Sequence, residues 1–155
     1  MRRGVVAALL VVSAGLAGCG GDDDDDGGRP SREAYIAKAD AICANANQRE
    51  TASGVPAGGR EVEDPRVQRI MVAGLRDTLA GLRELEAPEG DEARVAKVIS
   101  SLQRVLTARD EQFKAARAGD GPAQTEAEEA FFTASQDLGV IAGPYGLGHC
   151  LALGF

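Results

Sequence analysis

The 155-residue sequence predicts an all-α fold, an up-down antiparallel helical bundle of about four helices. Three observations carry that expectation. Apolar residues recur at three- and four-residue spacing through most of the chain beyond residue 30, the period of a helix with one buried face. Glycine- and proline-rich breaks separate these stretches, and the short connections favour antiparallel neighbours. No sustained alternation of β-branched with polar residues appears, so strand signals are scarce. Three long helices with an irregular first segment are the alternative arrangement.

The first helix is expected over SREAYIAKADAICANANQRE, with Ser31 as its cap and Tyr35, Ile36, Ala39, Ile42, Cys43 and Ala46 on one face. SGVPAGGR, from Ser53 to Arg60, reads as a loop. Asp64 followed by Pro65 opens the second helix, because an acidic cap satisfies orphan N–H groups and proline fits the first helical position. Its stripe is Val67, Ile70, Met71, Leu75, Thr78, Leu79, Leu82 and Leu85, and Ala87-Pro88-Glu89-Gly90 ends it. The third helix is expected from about Asp91 to Arg117, with Val95, Val98, Ile99, Leu102, Val105, Leu106 and Phe113 inward. Gly119-Asp120-Gly121-Pro122 breaks the chain before a fourth helix, whose stripe is Ala127, Ala130, Phe131, Ala134, Leu138 and Ile141; Gly143-Pro144 is expected to stop it. The tail YGLGHCLALGF is apolar but too rich in glycine to hold a helix, and is expected to fold back on the bundle.

Ahead of these helices, two arginines precede an almost unbroken run of small and aliphatic residues from Gly4 to Gly18, followed by Cys19. Basic residues, a short apolar run and small residues at its end are the layout of a secretory signal. The run is short for a membrane span: fifteen helical residues cover roughly 22 Å of a ~30 Å hydrocarbon core. Its end, Leu16-Ala17-Gly18-Cys19, resembles the lipobox of bacterial lipoproteins. That resemblance implies a lipid on the Cys19 thiol and cleavage just before it. The chain then divides into a signal peptide at 1–18, a lipidated cysteine with a flexible acidic tether at 19–30, and a helical domain at 31–155.

Glycine and contiguous aspartate suit the tether, since like charges repel one another and anionic headgroups. Asp22, Asp24, Asp26, Gly27 and Glu33 also match the spacing of a calcium-binding loop. The context does not fit, because no helix can enter the loop from a membrane-anchored Cys19, and Arg29 and Pro30 interrupt it. No metal or other cofactor is therefore expected.

Seventeen basic residues less Arg2 and Arg3 face 24 acidic ones, which leaves the mature chain at a net charge of −9; without the five aspartates the remainder carries −4. No basic patch with interleaved aromatics appears, which argues against nucleic acid as a partner. Loss of Cys19 to lipid leaves Cys43 and Cys150 in an oxidising compartment, where a disulfide between them would pin the tail to the first helix. AICANAN around Cys43 and YGLGHC around Cys150 are similar to segments of small, helical, two-cysteine exported lipoproteins of actinobacteria. That resemblance implies an architecture and no activity.

Catalytic constellations are thin. His149 is the only histidine, and its neighbour Cys150 is expected in the bridge. Glu84 with Glu86 and Glu128 with Glu129 read as solvated helix faces, and Met71 as a core residue instead of a haem ligand opposite His149. The sequence thus points away from an enzyme, to a lipoprotein on the outer face of the cell membrane working through contacts with another envelope protein. A small-ligand binder with a cavity between helices is the alternative, and a hydrolytic enzyme the third reading.

Overall fold

A computed structural model of the chain describes residues 28–54 and 64–153. Within them the fold is all-α: α1 (Arg32–Ala52), α2 (Pro65–Glu84), α3 (Glu92–Ala118), α4 (Gly121–Tyr145) and a 3-10 turn, η1 (His149–Ala152). Each long helix packs on the next in sequence, and η1 packs on both α1 and α4, linking the last helix of the up-down bundle to the first.

The helix boundaries follow from local chemistry. The Ser31 hydroxyl accepts from the Ala34 N–H, the Asp64 carboxylate from Arg66 N–H ahead of Pro65, and the Asp120 carboxylate from Ala123 N–H. At the other ends, Gly119 and Gly146 take left-handed conformations, φ 68° and 100°, and turn the chain out of α3 and α4. The core draws on all four stripes: Tyr35, Cys43, Met71, Leu75, Leu102, Val105, Phe113, Phe131 and Leu138 are buried together.

Three expectations change. Gly121 and Pro122 belong to the first turn of α4, so the α3–α4 connection is only Gly119-Asp120. Pro144 does not stop α4, which continues to Tyr145. In the last turn a proline forfeits one backbone bond, and Gly143 before it tolerates the steric restriction that proline imposes. Ala130 is exposed, because the buried face of α4 runs through Ala127, Phe131, Ala134, Leu138 and Ala142.

Candidate functional site

The tail is locked to α1 by one covalent bond and three polar ones. Cys43 and Cys150 are bonded with their Cα atoms 4.9 Å apart, within the span a disulfide allows. Asp40 lies three residues before Cys43 and Asn47 four after, on one helical face. The Asp40 carboxylate accepts from His149 N–H at 2.8 Å and meets His149 Nδ1 at 2.5 Å, while Asn47 Nδ2 donates to the His149 carbonyl at 2.9 Å. Leu147, Cys150 and Leu153 are buried beneath. His149 is therefore a docking residue of the tail, and Cys150 is committed to the bridge. Met71 lies in the core, away from any pairing with the surface His149.

At the end where the chain enters, a second polar cluster fixes the first turn of α1 to the α2–α3 corner. Arg32 donates twice to the buried Asp91 carboxylate, at 2.6 Å each, and the Tyr145 hydroxyl donates to it at 3.1 Å. The Arg32 hydrogen bond leads the effects that hold Asp91 below the usual carboxylate range, against the cost of burial. Burial, then the bond to Asp91, pushes the Tyr145 hydroxyl up to about 12. Arg32 and Arg94 hold their guanidinium carbons 5.7 and 5.6 Å from the Tyr145 ring centre. Arg29 bonds Glu92 and lies 3.6 Å from Glu86.

Further along the bundle, charge enters the core. Arg109 is 1% exposed, its guanidinium carbon 3.6 Å from the Phe131 ring centre, and it donates to Gln112 Oε1 at 2.9 Å. Burial brings its pKa down to about 10. Glu50, 8% exposed in the last turn of α1, lies against Gly74 of α2, where an added Cβ would fall 2.7 Å from Glu50 Oε1. Burial raises the Glu50 carboxyl to about 7, opposed by the charges of Arg109 and Arg49.

Among the described residues, surface grooves run between helices. One of about 690 Å3 lies between α3 and α4, floored by alanines and edged by Arg104, Glu111, Glu126 and Glu129. A second, about 650 Å3, runs between the start of α3 and the end of α4 beside Arg94, Lys97 and Tyr145. A third, about 480 Å3, follows the α2–α3 seam. On the outer face of α4, Phe132 is 56% and Val140 76% exposed.

Glu84, Glu86, Glu128 and Glu129 all stand on exposed positions. Among the described residues no group of three or more histidine, cysteine, aspartate or glutamate side chains could hold a metal ion, and no helix is long and apolar enough to cross a membrane. Cys19 and the calcium-loop match at Asp22, Asp24 and Asp26 lie outside the described residues. Compared with known proteins, the chain matches no family model, no curated protein and no solved structure.

Proposed function

We propose that the chain is a lipoprotein of the outer face of the cell membrane, held by a lipid on Cys19, whose bundle works without catalysis through contacts with another envelope protein. The observation that carries this reading is Leu16-Ala17-Gly18-Cys19 at the end of a short apolar run behind two arginines. The Cys43–Cys150 bond supports it twice. Stable disulfides belong to oxidising compartments, and the bond accounts for the two cysteines that the lipid would not. Open seams between helices and the exposed Phe132 and Val140 suit a contact surface. A small-ligand role is the second reading, favoured by the α3–α4 groove, whose volume falls within the range of ligand sites.

Metabolic labelling with a fatty-acid probe tests the anchor. The protein takes up the probe, and Cys19→Ser abolishes the label; undiminished labelling of that variant contradicts the anchor. Crosslinking in the native cell tests the contacts, with recovery of a discrete protein adduct expected and an uncrosslinked monomer under all conditions arguing for the small-ligand reading.

A further inference from the structure

The α2–α3 seam is a ladder with one mismatched rung. Arg83 of α2 donates to Gln103 of α3 at 3.0 Å, and one heptad along, Arg76 lies 3.5 Å from Asp110. Antiparallel helices keep such a register as each advances seven residues in opposite directions. The next rung is then Arg69 opposite Arg117, two cations where the first two rungs place complementary groups. Both line the groove along the seam, over a floor of Val72 and Phe113.

Among the described residues, no ion pair relieves the mismatch. Arg69 has no ion pair among the described residues, and Arg117 donates to the neutral Gln68 Oε1 at 3.2 Å. The groove's carboxylate, Asp110, is shared between Arg76 and Lys114, the latter at 3.0 Å. Asp64 and Asp120, at the same end of the bundle, accept backbone N–H groups as helix caps. An acidic chain thus concentrates Arg69, Arg76 and Arg117 along one groove, with Asp110 as its carboxylate.

We propose that this groove docks an acidic segment of a partner protein, with a partner carboxylate seated between Arg69 and Arg117. Two guanidinium groups lining one groove offer several charge-assisted bonds to a carboxylate, whose charge relieves their repulsion. The aspartate run of the same chain cannot fill the position. Arg29 is fixed at Glu92, and Arg117 lies about 37 Å further along α3, whereas Asp22 is at most roughly 22 Å of extended chain from Gly28. The proposal rests on the reading of the bundle as a protein-contact module and not on the lipid anchor.

The test is a titration of the full chain with fluorescein-labelled hexaglutamate, with hexaglutamine as the uncharged probe. Saturable binding of hexaglutamate alone is expected, weakening as salt rises and the charges are screened. Arg69→Gln and Arg117→Gln should each raise Kd about tenfold, the loss of one charge-assisted pair. Lys38→Gln, on an exposed position of α1, should leave Kd within about twofold. With no peptide present, Arg69→Gln should raise Tm by about 1–2 °C as the like-charge rung is removed. Absence of saturable binding, an unchanged Kd in both arginine variants, or an equal loss in Lys38→Gln overturns the proposal. So does inorganic phosphate binding more tightly than the peptide, which marks the groove as a small-oxyanion site. The readout needs neither the lipid nor the native partner, so its failure and that of the anchor are separable.

Discussion

Glu50 and Asp91 show how a few side chains give this bundle its pH response. The folded chain raises the Glu50 carboxyl from 4.5 to about 7, chiefly by burial. Between those values the folded state binds the proton more tightly than the unfolded one, so this contribution to stability falls as pH rises through that window. Glu50→Gln has no proton to lose there. Relative to the parent it should gain about 1–3 kcal/mol between pH 5 and pH 8, the scale of an imperfectly satisfied buried polar group. Urea unfolding at the two pH values checks this, and an identical pH slope in parent and variant would contradict it. Asp91 has the opposite sign. Its depressed pKa gives stability that is present above the usual value of 3.8 and lost as pH falls through the lowered one. The two residues therefore act at opposite edges of the acidic range.

The signal for both interior charges lay in the helical period. Arg109 falls one heptad beyond Leu102, between Leu106 and Phe113, and Glu50 falls four residues beyond Ala46 and seven beyond Cys43. Each sits on its helix's apolar stripe. A charged residue at such a position reads as a tear in the stripe when one helix is considered alone. Only the packing of Phe131 from α4 against Arg109, and of Gly74 from α2 against Glu50, makes room for them.

At the scale of elements, the helices were legible wherever cap, breaker and period agreed. Ser31, Asp64-Pro65 and Gly119 mark boundaries as the chemistry of caps requires. α4 runs past Pro144 because the stop is supplied by Gly146, whose left-handed φ turns the chain out of the helix. Ala130 borders the α3–α4 groove instead of filling the core, since a side chain that short fits the solvent edge of an apolar stripe as readily as its centre. Leu102 tests the element that was read most directly. It is 1% exposed at the centre of α3, so Leu102→Ala should cost about 2–5 kcal/mol in chemical denaturation. A loss below about 0.5 kcal/mol would contradict its place in the core.

For the whole molecule, the cysteine count was the most informative feature of the sequence, because a disulfide joins parts that no periodicity relates. The bond closes a separation of 107 residues. Chain entropy allows about 4–5 kcal/mol for such a loop as an upper figure. Cys150→Ser should therefore lower stability by up to that amount and loosen η1 from α1, seen as faster amide exchange in Leu147, Leu151 and Leu153. Unchanged exchange there would show that the Asp40, Asn47 and His149 contacts suffice to hold the tail. Those contacts, and the groove that Arg69 and Arg117 share, were not legible in the sequence, since both depend on register between segments far apart in the chain.

Intact-mass spectrometry of the protein extracted from bacterial membranes reads at once whether Cys19 is acylated and whether the domain behind it is closed by the Cys43–Cys150 bond. The expected chain begins at Cys19, carries the mass of a diacylglyceryl group, and gains about two hydrogens on reduction, one disulfide's worth. A chain that keeps Met1–Gly18, or begins elsewhere with an unmodified Cys19 thiol, would contradict it.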